Sequence, residues 1–354
     1  MTTLEKSGPA PIESHPDLVK ARLPRWAPSV VGLIAVSFAA LCWLLGASLA
    51  GAVVLGALGY VVALTSWSAI VEGRRGAVDR LVTSLVWGSF AVAMVPLAWL
   101  LGTAVSRGAD TINVEFLTYE MRNVIGDAQG GIYHALIGTL LVTITAAIIS
   151  VPIGVFTAIY VVEYGKRNRL AKVVTFLVDV MTGIPSIVAG LFALALFVLL
   201  VDPAYRSGFA GSVALSLLMI PTVVRSTEEM LRLVPEDLRE ASYALGVPKW
   251  RTITKVVLPT SFGGIVTGVV LAISRVIGET APLLIVAGVA DSVNTNVFSE
   301  RMQTLPVFIF NQYSLATDKS RAYAWGGALV LIVLVMALNL IARIIGRIFA
   351  PAKG

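Results

Sequence analysis

Arg275 and Glu279 stand four residues apart inside an apolar run at 260–288, with Gly278, Ala281 and Pro282 around them. On a helix that spacing puts both side chains on one face. A charge at the centre of a membrane-spanning helix costs about 2.5–3.5 kcal/mol on insertion scales, so the two are expected to face protein or water and to pair. Two readings follow. The pair is a static ion pair that fixes helix packing, or it lines an anion path. In the second case the arginine, always charged and carrying a planar fork of donors, meets an oxyanion while Glu279 orients it or moves aside. The pair alone does not identify the anion. Arg225 closes the preceding apolar run before Ser226-Thr227-Glu228-Glu229, and reads either as a flanking cytoplasmic charge or as the inner end of the same path. Upstream, Asp179 precedes Met181-Thr182-Gly183-Ile184-Pro185-Ser186, where glycine and proline interrupt another apolar run. Broken helices are tolerated in membranes where they line protein or a cavity, and they offer backbone groups to a substrate. Gly183, Pro185 and Ser186 are therefore candidate path residues, with a packing kink as the alternative. Ile220-Pro221 repeats the theme one span later.

Other chemistries find little support. The two histidines, His15 and His134, are too few and too far apart for a ligand set, and His134 is expected at the membrane interface. The one cysteine, Cys42, lies in an apolar segment and reads as a packing residue; it allows neither an internal disulfide nor a metal cluster. No G-x-x-x-x-G-K-[ST] phosphate-cradling loop occurs, so the chain holds no ATP of its own and is expected to be non-catalytic. A membrane enzyme acting on phosphorylated lipid would need a convergent nucleophile or metal constellation that these residues do not form. A proton-coupled secondary anion transporter using Arg275, Glu279 and Asp179 is the more serious alternative, although no internal repeat supports it.

The elements that must position these residues are membrane helices. The chain has 354 residues, 57% hydrophobic and 14% charged, with mean hydropathy +0.85; these values exclude an ordinary soluble domain. The net charge of +6 comes from Lys and Arg placed between apolar runs, which points to lipid headgroups and topology rather than nucleic acid. Apolar segments at 27–46, 50–71, 81–105, 132–162, 174–201, 210–225, 260–288 and 323–349 are close to the roughly 20 residues needed to span, giving about eight helices. The first two form a tight hairpin around Gly46–Gly51. Residues 1–26 are polar and proline-rich and read as a cytoplasmic tail. A cleavable signal peptide ending near Ser48-Leu49-Ala50 is less consistent than a retained anchor, because the basic stretch Lys20–Arg25 comes late. Basic residues concentrate in the tail, 72–80, 163–173, 225–259 and the C-terminal end (350–354 as a tail), so both termini are expected to be cytoplasmic. Two outer segments, 106–131 and 289–322, read as solvated connectors or as surfaces for an extracytoplasmic partner. The second contains a short apolar helix expected at the surface. Gly264 and Gly268 suggest a close helix contact.

One cytoplasmic stretch, residues 235–259, interrupts this pattern. Pro235-Glu236-Asp237 is a helix start, with proline at the first position and acids at the positive end of the dipole. Leu238, Ala241 and Leu245 form a narrow apolar stripe. Gly246 is placed to end the helix in a left-handed cap, and Pro248 can start a second short helix. The expected product is an elbow with one face suited to a groove on a soluble partner.

Glu240-Ala241-Ser242, three residues, Gly246, nine residues and Val256-x-Leu258-Pro259 resemble the EAA loop of ABC importer permeases. Ser242 stands for alanine and Val256 for isoleucine. Together with TGIPSIVAGLF (182–192), SRVIGETAPLL (274–284) and MQTLPVFIFNQ (302–312), the chain over residues 80–349 resembles the PstA family, permease subunits of bacterial phosphate-specific ABC importers. The resemblance implies an all-α integral membrane protein of the bacterial inner membrane with a type I ABC importer permease fold. Its MetI-like six-helix core would occupy 80–349, and the hairpin at 27–71 departs from that pattern. The resemblance further implies inorganic phosphate as substrate, and ATPase coupling through Glu240, Ala241, Ser242, Gly246, Leu258 and Pro259. The implied partners are a PstC-like permease, a PstB-like ATPase dimer holding ATP-Mg, and a PstS-like phosphate-binding protein.

Overall fold

The computed structural model describes residues 22–124, 128–165, 168–315 and 317–348. The C-terminal tail, most of the N-terminal tail, and Asp127, Lys166 and Arg167 of the connectors fall outside them. All regular structure among the described residues is helical. Two compact units divide the chain, Met1–Leu101 and Gly102–Gly354.

The first unit contains α1 (Ala27–Leu44), α2 (Leu49–Val71) and most of α3 (Gly73–Gly108). The turn between α1 and α2 uses Gly46 at φ +96°, a region that a side chain disfavours. Ser48 then caps α2 by accepting from the Gly51 amide at 3.1 Å. Between α1 and α2, a Cβ on Gly56 would lie 2.8 Å from the Ala39 Cβ, so the backbones approach as closely as small residues allow. Glu72 ties the ends of all three helices. It accepts from the Ser68 hydroxyl at 2.5 Å and the Leu23 amide at 2.9 Å, and pairs with Arg80 at 3.5 Å. These donors, Ser68 first, hold its carboxyl down at about 2.

The second unit begins with the last turns of α3, followed by a short connector and α4 (Val114–Thr118). Then come α5 (Tyr133–Ile159), α6 (Arg169–Thr182), α7 (Ser186–Leu200) and α8 (Gly208–Arg232). α9 (Glu236–Ala244) and α10 (Lys249–Thr252) make the cytoplasmic elbow, and a π-turn at Ile253–Val257 leads into α11 (Leu258–Val276). α12 (Ala281–Val286), α13 (Leu305–Ser314) and α14 (Asp318–Ile348) complete it. Its centre is α5 against α8, with Val142, Ala146, Leu215, Met219 and Val223 fully buried. In lipid such association rests on close packing rather than on removal from water, and the residue types comply. Gly154 leaves room for Val223, and Ser212 donates to the Val142 carbonyl at 3.0 Å. Gly264 and Gly268 lie against Met230 and Ser226 of α8, which is the close contact expected from their spacing.

Seven described helices are long and apolar enough to span; the bent pair α6–α7 makes eight if it is one span. Three expectations need correction. α8 runs unbroken through Pro221, so Ile220-Pro221 is not a second break, just as α3 runs through Pro96 and α5 through Pro152. α11 ends at Val276, so Arg275 and Glu279 do not share a helix, and no ion pair joins them. The apolar helix of the second outer segment, α13, is not superficial: Leu305, Val307 and Phe308 are fully buried. His134, at the start of α5, is buried within the protein, its Nε2 3.0 Å from Gln303 Oε1.

Candidate functional site

Two regions of the second unit carry the features singled out above. The first is a cleft of about 230 Å³ between the α6–α7 break, α8 and the end of α11. The break has a local cause. Thr182 ends α6, the Gly183 and Ile184 amides fold back onto Val180 and Met181 at 3.0 and 3.2 Å, and Pro185, at ψ 139°, cannot continue the helix. α7 leaves at 108° to α6. Gly190 of α7 sits where a Cβ would come within 2.7 Å of Pro282 Cα, which seats α7 directly on α12.

Ser186, Thr182, Thr222, Arg275 and Glu279 supply the polar lining of the cleft. Ser186 is the first residue of α7, where backbone N–H groups lack intrahelical partners and the dipole is positive. Pro221 in α8 removes the donor that would have satisfied the carbonyl one turn earlier. Arg275 lies in the last turn of α11, exposed, and its guanidinium has no hydrogen-bond or ion-pair partner among the described residues. Glu279 follows the helix end, half-buried, with its amide on the Val276 carbonyl at 3.1 Å. An unengaged guanidinium beside a positive helix end and the Ser186 hydroxyl can hold an oxyanion; the Thr182 and Thr222 hydroxyls already donate to the Val178 and Leu218 carbonyls at 2.9 and 3.4 Å. Gly183 and Pro185 shape the bend and do not line the cleft. Arg225 does not line it either: it is engaged with Asp179 of α6 and with Glu228 Oε2, the latter at 2.9 Å.

The second region is the elbow. Gly246 adopts φ +74°, the left-handed cap that lets the chain leave α9 and start α10 after Pro248. Leu238, Ala241 and Leu245 are exposed, as are Glu240 and Trp250; Leu245 is 83% exposed. Ser242 points the other way: buried, its hydroxyl is 2.8 Å from that of Thr252, and it holds the two short helices together. Leu258 is half-buried against the core below, and Pro259 sits in the first turn of α11.

What fastens the elbow to the membrane helices was not legible from the motif. Arg239 is buried, and its Nε and Nη2 donate to Glu163 Oε1 at 3.2 and 2.9 Å. Its Nη1 and Nη2 also donate to the Val234 and Leu231 carbonyls at 2.7 and 2.9 Å, closing the end of α8. Glu163 belongs to the π-turn Tyr160–Tyr164 that extends α5. Lys249 of α10 donates to the Glu163 carbonyl and lies 4.8 Å from the Tyr164 ring. One signal existed: Glu163 is a lone acid at the end of an apolar run, opposite a basic loop.

The chain matches, over residues 150–353, the family described as binding-protein-dependent transport system inner membrane component. It is 46% identical over 272 residues to the phosphate transport system permease protein PstA of Mycobacterium leprae (strain TN), covering 76% of this chain and 89% of the relative. To the PstA of Yersinia pestis it is 38% identical over 275 residues, 78% of this chain and 91% of the relative. Among solved structures, an inward-facing MetNI methionine ABC transporter chain overlaps 62% of this chain and 95% of its own length, with a TM-score of 0.50 at 20% identity, a likeness of fold. The chain belongs to the binding-protein-dependent transport system inner membrane components, in the branch whose members are named phosphate transport system permease protein PstA.

Proposed function

We propose that this chain is one of two permease subunits of an ATP-driven importer and passes inorganic phosphate across the bacterial inner membrane by alternating access. What carries the reading is its 46% identity to a phosphate transport system permease over 89% of that relative's length. The Arg275 cleft agrees with it in chemistry. A permanently charged, unengaged guanidinium lowers the electrostatic barrier for an oxyanion, and the first turn of α7 with Ser186 adds donors that cost no charge. Glu279 sets a limit on residence, since a second anion beside it raises the cost of phosphate staying. Gly183 and Pro185 act by bending the chain so that α7 starts at the cleft. Arg225, held by Asp179 and Glu228, serves as a flanking charge and an inter-helix tie.

ATP-Mg binds to a separate PstB-like ATPase dimer, since this chain has no phosphate-cradling loop. The exposed stripe of Leu238, Ala241 and Leu245, with Glu240 beside it, enters a groove on that ATPase. Gly246, Ser242, Leu258 and Pro259 keep the elbow's shape and pass its displacement to α11. A PstC-like permease completes the path, and a PstS-like binding protein delivers phosphate from outside. The excess of Lys and Arg in the connectors supports a topology with both termini in the cytoplasm.

Phosphate uptake into sealed vesicles containing the chain and these partners, with and without ATP, tests the reading. Uptake should require ATP and every partner, and should be lost in Arg275→Ala. Uptake by this chain alone under a proton gradient would overturn it.

A further inference from the structure

The first unit holds a groove of about 700 Å³ that the transport reading does not use. It is lined from Pro28 to Ala39 on α1, from Leu64 back to Val53 on α2, and from Arg80 to Ala91 on α3. Each stretch rises about 16 Å at 1.5 Å per residue. That is half of the roughly 30 Å hydrocarbon thickness of a bilayer. All three stretches begin at the end of the unit tied by Glu72, so the groove is one leaflet deep. An open apolar groove of this length takes an acyl chain along it.

Charge distinguishes the two ends. The wall is apolar and rich in small residues, but Arg80 stands at the Glu72 end and gives only one nitrogen to Glu72, at 3.5 Å. Thr83 and Ser84 follow on α3, and their hydroxyls have no hydrogen-bond partner among the described residues. Arg22, Arg25, Arg74 and Arg75 lie exposed at the same end, against Glu72 and Asp79. We infer that the groove is a binding site for one anionic phospholipid of the leaflet on that side. An acyl chain lies between the hairpin and α3, and the phosphate group is held by Arg80 with Thr83 and Ser84.

The test is native mass spectrometry of the full-length chain released from nanodiscs of equal phosphatidylglycerol and phosphatidylcholine. One phosphatidylglycerol should remain bound per chain, enriched about fivefold over phosphatidylcholine, the weight of one basic side chain near anionic headgroups. Arg80→Gln should bring the two lipids to parity, and Arg80→Lys should restore part of the preference. Gly88→Phe should remove both, because a Cβ at Gly88 meets no atom within 4 Å and the ring has room to enter the groove. Equal retention of the two lipids by the unsubstituted chain, or unchanged retention in Gly88→Phe, would overturn the inference. Transport is not the readout, so a failure of the phosphate reading leaves this result interpretable.

Discussion

Replacing Glu163 by alanine should loosen the elbow before anything else in the molecule. The substitution leaves the buried Arg239 guanidinium with only the exposed Glu236 carboxylate, 3.8 Å away, as counter-charge, and removing the buried member of such a pair costs about 3–5 kcal/mol. Two of the arginine's four hydrogen bonds, to the Val234 and Leu231 carbonyls, survive, which places the cost near the lower end, about 3 kcal/mol. Because the pair joins α9 to the end of α5, the cost falls on the local opening of residues 236–252 rather than on the membrane core. At 1.36 kcal/mol per decade, that lowers the protection of α9 amides against hydrogen exchange by about 100-fold. Glu163→Gln keeps a neutral acceptor at the same atom and should cost about tenfold. The double variant Glu163→Leu, Arg239→Met removes both charges and should recover most of the protection, since apolar replacement of a buried pair is often neutral. Exchange of the purified protein read by mass spectrometry resolves these segments. Unchanged α9 protection in Glu163→Ala, or loss equally spread over α5, α8 and α11, would refute the assignment of the pair as the elbow's anchor.

The remaining predictions concern other parts of the molecule. Leu245→Asp should change the chain's own stability by no more than about 0.5 kcal/mol, being a surface substitution, while reducing co-purification of the ATPase; intact co-purification would remove Leu245 from the docking face. Gly268→Ile pushes a side chain into Ser226, 2.7 Å from where its Cβ must lie, and should cost about 1–3 kcal/mol of overpacking, seen as a lower Tm. Glu72 has its carboxyl lowered to about 2 in the folded protein, so its contribution is present above the ordinary carboxylate range and is lost as pH falls through that range towards 2. Thermal unfolding followed from pH 6 to pH 3 should show a decline that Glu72→Gln reduces.

Much of the architecture was legible because a membrane allows so few solutions. An apolar run of spanning length is a helix, and proline after glycine in such a run marks a break, as at Gly183–Pro185. Pro221 shows the limit of that rule. Proline alone does not break a span: α8 continues through Pro221, α5 through Pro152, and α3 through Pro96 even though that stretch is exposed. The exposed elbow stripe and the left-handed Gly246 followed from local spacing alone. The Arg275–Glu279 pairing did not survive, because the spacing argument assumes a helix that ends three residues too soon. Glu163 with Arg239, and Glu72 with Leu23 and Arg80, depend on where distant or successive helices terminate. No periodicity encodes that.

α11 joins the two candidate regions without a break. From Leu258 to Arg275 it is a rod of about 26 Å at 1.5 Å per residue, clamped along its length by glycine contacts with α8 and, through Gly346 and Thr267, with α14. A rod so held has a lever's arithmetic. Tilting it by about 5° at the elbow carries the Arg275 end sideways by about 2 Å over that length, more than the difference between a formed and a lost hydrogen bond. The cleft therefore needs no relay of side chains to register what happens at the elbow. Stiffness alone transmits it, and a flexible kink introduced midway along α11 would disconnect the two ends while leaving each intact.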